Sequence, residues 1–381
     1  MSTVEGKSVT VRVPMNIALI KYWGKRDEEL ILPLNDSLSV TVDELYATTT
    51  VELVAGESSK NEVHLNGKKL DLGTNKRYNQ VFTEVQRLMR KRKIEEGDGI
   101  STHYFKVNST TNFPVAAGLA SSAAGFAAIA FGIKHLLNLD DATANRLARI
   151  GSGSACRSML GGLARWHSGV QPDGSDSVAK QVSTELWSSL RCLIFVFDGE
   201  EKKVGSTEGM RRSAETSELL KYRISNVMPK RAEKIETAFK SRDFDSLAEL
   251  IMRDSNEFHA ICLDSFPPIK YLSDASWKLI ETVNEFNSTL TNSNGNAVKV
   301  KSYRAAYTFD AGPNAVVFLE ENTVADFLEH LSHIISLPLE DVSSIMSGLG
   351  KEAVEKVPHE LPVKATRVIY SKIGSPPVVV E

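Results

Sequence analysis

Residues 113–132 read FPVAAGLASSAAGFAAIAFG, and no other stretch limits the fold as tightly. Val115–Ile133 carries no charged side chain, so its length reaches what a bilayer crossing needs. The composition points elsewhere. Ala, Gly and Ser dominate, bulky Leu, Ile and Phe are few, Lys134 and His135 follow at once, and no second apolar span exists. A buried helix accounts for Ala123–Ile133. It does not account for Gly118-Leu119-Ala120-Ser121-Ser122 behind Pro114. A small-residue turn entering a helix exposes several backbone N–H groups at the positive end of the dipole, which is where phosphate oxygens bind. Small side chains let phosphates approach, and two serine hydroxyls can donate to them or touch a phosphate-bound Mg²⁺. The alternative for these residues is a Gly/Ala-rich packing helix.

The surroundings suit an α+β chain. Val9–Val13 alternates as a strand, which Ile17–Ile20 continues beyond Pro14, and Leu38–Val42 and Thr48–Leu53 read as two more. Glu62–Leu65, Asn66-Gly67 and Lys68–Leu72 form a hairpin signal. Helical spacing covers Arg77–Arg92, Asp141–Ile150, Glu215–Lys240, Asp243–Cys262, Ile269–Phe286 and Val324–Ile335. Strands are expected at His103–Val107, Leu190–Phe197, Ala305–Phe309, Ala315–Leu319 and Thr366–Tyr370, and the polar stretch 287–301 reads as a loop. The composition shift near residues 182–190 suggests two lobes, 1–185 and 186–381.

Charge and cysteine content exclude several functions. With 45 basic and 48 acidic side chains the net charge is −3, so nothing calls for nucleic acid or an anionic membrane. Cys156, Cys192 and Cys262 are too scattered for a disulfide framework or a CxxC metal site, which suggests a reducing compartment. MSTVEGKSVTVRV has no apolar leader, and a cytoplasmic location is the expectation. Gly151-Ser152-Gly153 begins like a dinucleotide fingerprint, but Cys156 stands where a third small residue belongs and a helix precedes it.

Three places carry chemistry. Lys21-Tyr22-Trp23-Gly24-Lys25 puts two ammonium groups beside an aromatic pair; a solvated surface is the bland reading. Arg157 is the lone charge in Ile150–Gly162, so a carboxylate or phosphate belongs beside it, either an internal partner or a ligand. Asp310 ends an apolar strand before Ala-Gly-Pro-Asn, where it either caps a turn or aims a carboxylate into a cleft; it is expected near Arg157.

Pro-x-x-x-Gly-Leu-x-Ser-Ser-Ala at 114–123 resembles the ATP-phosphate motif of the GHMP kinase superfamily. Asn16-Ile-Ala-Leu-Ile-Lys-Tyr-Trp-Gly-Lys25, Arg77, Gly151-Ser-Gly-Ser-Ala-Cys-Arg157, Gly205-Ser-Thr-Glu-Gly-Met210, Asp254-Ser-Asn-Glu-Phe-His259 and Tyr307-Thr-Phe-Asp-Ala-Gly-Pro-Asn314 narrow the likeness to the mevalonate diphosphate decarboxylase family. Val115 stands where that family more often has Thr, and the 287–301 loop is longer and more polar than usual.

The resemblance implies a two-lobed GHMP kinase fold, with a ribosomal-protein-S5-like N-terminal lobe, a helix-rich α/β C-terminal lobe and a deep cleft between. It implies ATP- and Mg²⁺-dependent decarboxylation of (R)-5-diphosphomevalonate to isopentenyl diphosphate by a cytosolic homodimer. It assigns Gly118, Leu119, Ala120, Ser121 and Ser122 to the ATP phosphates, with Mg²⁺ carried by those phosphates and touching Ser121 or Ser122. Asn16, Tyr22, Trp23, Gly24, Lys25, Arg77, Ser152, Gly153, Ser154, Ala155, Cys156 and Thr207 fall to the substrate. Arg157 takes the substrate carboxylate, Asp310 the tertiary hydroxyl, and Lys21 the departing phosphate. Two other readings compete: a GHMP small-molecule kinase that stops at phosphorylation, and a non-catalytic ligand sensor. Related mevalonate 3-kinases lack the Lys21–Asp310 pair, and a sensor would be expected to have lost Asp310, Arg157 or a motif serine.

Overall fold

The computed structural model describes residues 6–55, 60–96, 103–113, 121–183, 185–197, 202–288, 302–352 and 361–381. Strand β1 (Ser8–Ile20) runs through Pro14, which a register shift at Pro14/Met15 accommodates. After the hairpin β2 (Lys25–Asp27) and β3 (Leu32–Pro33) comes β4 (Ser37–Ala55). The two expected strands are thus one. Tyr46 lies opposite Pro14 and Val42 opposite Met15, so Asp43, Glu44 and Leu45 bulge out and interrupt the alternation without ending the strand. Strands β5 (Glu62–Leu65) and β6 (Lys68–Lys69) flank Asn66-Gly67, both at positive φ as a tight hairpin turn requires.

Helix α1 (Lys76–Glu96), strand β7 (His103–Thr111) and helices α2 (Ser121–Leu137), α3 (Asp141–Gly151) and α4 (Ala155–Ser158) follow. Strands β8 (Leu163–Trp166) and β9 (Ala179–Gln181) extend the first sheet; both escape sequence periodicity because they are very short. Asp140 caps α3 by accepting from the Thr143 N–H. In α2 the buried Ala123, Ala124, Ala127, Ala128 and Ala130 give a smooth surface that packs closely on β1 and β4. Among the described residues no helix is long and apolar enough to cross a membrane.

The second half opens with β10 (Leu190–Phe197), buried throughout. Helices α5 (Ser206–Thr216), α6 (Glu218–Tyr222), α7 (Met228–Ser241), α8 (Phe244–Asp264) and α9 (Asp274–Ser288) follow. Where one helix was expected over Glu215–Lys240, Ser217 leaves helical geometry and caps the next turn through the Leu220 N–H, and a π-helical turn (Arg223–Val227) precedes Pro229. Strands β11 (Ala305–Phe309) and β12 (Ala315–Glu320), helices α10 (Val324–Ser332) and α11 (Leu339–Gly348), and β13 (Ala365–Lys372) finish a four-stranded sheet of order β11-β12-β10-β13. Strand β14 (Val378–Val379) then returns to β1 in the first sheet. One apolar core spans both sheets, and a smaller cluster forms around Trp23, Phe258 and Tyr271.

Candidate active site

The chain leaving β1 sends three consecutive side chains in three directions. Lys21, 3% exposed, places Nζ 2.6 Å from Asp310 Oδ1. Tyr22 packs edge-on against Trp166, beside Cys156 and Ile31. Trp23 is buried against Phe258 and Tyr271, and its indole N–H donates to Ser213 Oγ at 2.8 Å. Gly24 follows at φ +92°, where a Cβ would lie 2.6 Å from Leu34 Cδ1, so only glycine turns the chain here. The aromatic pair between the two lysines is therefore anchored in packing, and Trp23 already uses its one donor internally.

Asp310 follows β11, and Lys21 rather than Arg157 is its ion-pair partner. Its side chain is 42% exposed, yet Lys21, Arg157 and Lys202 all lie close enough to act on it. Enclosure alone would raise its pKa. The charge and hydrogen bond of Lys21, followed by Arg157, outweigh that and hold the carboxyl below the usual carboxylate range. Among the described residues Oδ2 accepts no hydrogen bond. His259, on α8, faces the same pair; burial, then the charge of Lys21, pushes it down to about 3, and its Nε2 has no hydrogen-bond partner among the described residues.

Arg157 is fully buried, and among the described residues no carboxylate bonds to it. Nε donates to Ser39 Oγ at 2.9 Å and Nη1 to Ser37 Oγ at 2.5 Å. Burial works against its charge, with Cys156, Asp310 and Tyr22 opposing that effect. Two hydroxyls orient a guanidinium without neutralising it, so the residue remains available to an anion. Its segment is pinned by Asn16, whose Nδ2 donates to Ser158 Oγ at 2.7 Å and Ser154 O at 3.1 Å. Ala155 and Cys156 are buried behind it; the Cys156 thiol donates to Gly153 O, and burial pushes it up to about 12, which suits packing rather than nucleophilic chemistry. Ser152 Oγ lies 3.3 Å from Ser122 Oγ, joining this segment to the start of α2.

A second group of cations gathers around Tyr22. Arg77 donates to Gly151 O at 3.4 Å and to Thr207 Oγ1 at 3.0 Å, bridging α1, the 151–154 segment and α5. Lys25 is paired with Glu28 at 2.6 Å, with burial lowering its pKa against that partner. The Tyr22 hydroxyl is buried without a hydrogen-bond partner among the described residues, its ionisation suppressed first by burial, with the charge of Arg77 the largest opposing effect. An orphaned donor within reach of the Arg77 and Arg157 charges fits an anionic ligand. Gly153 makes the packing possible, since a Cβ there would lie 2.7 Å from Tyr22 Cε1.

Gly118, Leu119 and Ala120 lie outside the described residues, as does the side chain of Ser121 and all of the 287–301 loop beyond Ser288. Ser122 is exposed in the first turn of α2, which has no acidic residue to repel a phosphate. Three contributors escape sequence reasoning. Ser37 and Ser39 could have been found, because alternate residues of a strand share a face. Lys202, whose Nζ donates to Ala311 O at 3.1 Å, is invisible without tertiary contacts. Asp254 stands in one of the quoted motifs, but its acceptance from the Lys21 N–H at 2.9 Å is not readable from that motif.

Comparison with known proteins bears on this arrangement. Residues 13–179 match a model of the diphosphomevalonate decarboxylase-like N-terminal domain, and residues 192–380 a model of the mevalonate 5-diphosphate decarboxylase C-terminal domain. The chain is 46% identical over 333 residues to the diphosphomevalonate decarboxylase of Homo sapiens, covering 86% of this chain and 80% of that one. The mevalonate diphosphate decarboxylase structure from Trypanosoma brucei superposes with a TM-score of 0.85 at 32% identity, over 98% of each chain. A structure of MDDEF in complex with MVAPP, AMPPCP and magnesium superposes with a TM-score of 0.76 at 32% identity, over 98% of this chain and 99% of that one.

Proposed function

The chain belongs to the mevalonate diphosphate decarboxylase family, and from that premise we infer that it converts (R)-5-diphosphomevalonate and ATP to isopentenyl diphosphate, ADP, phosphate and CO₂. The observation that carries the residue assignments is the pairing of Lys21 with Asp310 beside a buried Arg157 that bonds to no carboxylate among the described residues. Such a substrate needs cations at two places and a carboxylate at a third, and the site supplies them.

When bound, ATP with Mg²⁺ supplies the phosphoryl group that turns the tertiary hydroxyl into a leaving group. In this reading residues 1–185 contribute the phosphate cradle, Gly118, Leu119, Ala120, Ser121 and Ser122, while 186–381 bring Asp310. Tyr22, Lys25 and Arg77 hold the substrate diphosphate, with Asn16, Thr207, Trp23, Gly24 and Ser152 to Cys156 shaping the surround. Arg157 orients the substrate carboxylate. Asp310 stays ionised and accepts a hydrogen bond from the tertiary hydroxyl. A carboxylate held below its usual pKa is a poor base, so its contribution is orientation; a loose phosphoryl transfer needs little early proton removal. Loss of phosphate leaves the tertiary carbon electron-deficient, and Lys21 and Lys202 stabilise the departing anion. The enzyme is further taken to be a cytoplasmic homodimer.

Incubation with ATP, Mg²⁺ and 5-diphosphomevalonate tests the reaction. ADP, phosphate and CO₂ form in equal amounts. ADP without CO₂ would make the protein a kinase, and no ADP a sensor.

A further inference from the structure

Lys21 and Asp310 lie far apart in sequence, each just past a strand of a different sheet, yet their charged atoms are 2.6 Å apart. A single turn of α8 reaches both. Asp254 Oδ1 accepts from the Lys21 backbone N–H at 2.9 Å. Ser255 Oγ, the next residue, accepts from the Phe309 N–H at 3.0 Å, one residue before Asp310. Asn256 Oδ1 accepts from the Tyr307 hydroxyl at 3.1 Å on the same strand.

Asp254 is itself held hard. It has no solvent exposure, Arg223 Nη2 lies 2.9 Å from Oδ2, and Arg231 Nη1 donates to Oδ2 at 3.0 Å. Glu257 pairs with both arginines from one turn further along α8. The π-helical turn Arg223–Val227 delivers the almost fully buried Arg223. Such turns recur at functional sites. A cluster of four buried or half-buried charges is a weak way to gain stability, because desolvation offsets most of the attraction; what it does supply is fixed geometry.

We propose that Asp254 and Ser255 are positioning residues, which make α8 the bar that sets the separation of Lys21 and Asp310. The proposal rests on the reading of that pair as catalytic. Asp254→Asn weakens the charge lock, and Ser255→Ala removes the support under Phe309 while leaving every charge in place. In both, kcat falls roughly ten- to a hundredfold, as a small misplacement of reacting groups does. KM for ATP and for 5-diphosphomevalonate stays within about twofold of wild type, since neither residue is assigned to a ligand. The acid limb of the kcat–pH profile moves to higher pH, because Asp310 loses part of the Lys21 contact that depresses it.

Turnover within about twofold of wild type, or a fall in kcat with the acid limb unmoved, overturns the proposal and leaves α8 a packing element. If Asp254→Asn fails to fold by circular dichroism, Ser255→Ala decides alone. Asp310→Asn and Lys21→Met in the same assay separate the two levels. If those remain active the catalytic reading has failed; if they are inactive while the α8 variants behave as wild type, only the positioning claim has.

Discussion

At the scale of single residues, the site is governed by how burial and charge divide the titratable groups. Asp310 is held below the ordinary range and His259 near 3, so the first is ionised and the second neutral throughout neutral pH. The sign is fixed by which form works. The ionised carboxylate is present above its depressed pKa and is lost only as pH falls through it. We predict that kcat shows no inflection in the ordinary histidine range around pH 6.5. An inflection there that disappears in His259→Asn would contradict this assignment. Arg157 and Asp310 stand out locally, as the lone charge in a small-residue stretch and a carboxylate ending a buried strand; Lys21 stands out as an ammonium beside an aromatic pair, and its role came from the resemblance. Their direct bonds were not legible. Asp310 lies near enough to Arg157 to feel its charge, as expected, but Ser37 and Ser39 hold the guanidinium and Lys21 holds the carboxylate. Strand registers and lobe docking decide such partners, and neither leaves a local signature.

Elements were easier to place than their ends and breaks. Long periodic segments such as α1, α3, α8 and β10 stand where the pattern puts them. The single helix expected over Glu215–Lys240 fails at Ser217, where side-chain capping outcompetes helix continuation, and again before Pro229. The short α4, β8 and β9 exist through tertiary packing and carry too few residues for a period to show. Between α3 and α4, Gly153 lets the Tyr22 and Trp166 rings approach the backbone. Gly153→Ala must displace Tyr22. The expected result is a KM for 5-diphosphomevalonate raised by about tenfold, with the KM for ATP nearly unchanged; this is of the order lost with about 1.4 kcal/mol of binding. An unaltered KM for the diphosphate substrate would remove Tyr22 from that site.

Across the whole molecule, the two sheets are tied by more than the shared core. Arg165 on β8 bonds Asp36 at 2.6 Å and Glu236 on α7 at 2.7 Å. The C-terminal residues cross back to the first sheet: Gly374 N–H donates to Thr41 O, Gly162 N–H to Gly374 O, Val380 N–H to Thr10 O, and Thr10 N–H to Glu381 O. No sequence pattern announces that return, because SPPVVVE is short and two of its residues are proline. At about 1 kcal/mol net per backbone bond, truncation after Ile373 costs roughly 2–4 kcal/mol. Urea unfolding of the truncated protein reads that loss as a lower midpoint. An unchanged midpoint would show that these bonds are replaced by water at no cost.

The proposed reaction turns on one carboxylate, and Asp310→Asn is the sharpest test of it. The amide keeps the size and loses the charge that Lys21 and Arg157 stabilise. Turnover of 5-diphosphomevalonate, followed by CO₂ release, is predicted to fall by about three orders of magnitude or more, while the dissociation constant for the substrate changes by less than about tenfold. CO₂ release within about tenfold of wild type would contradict the central claim.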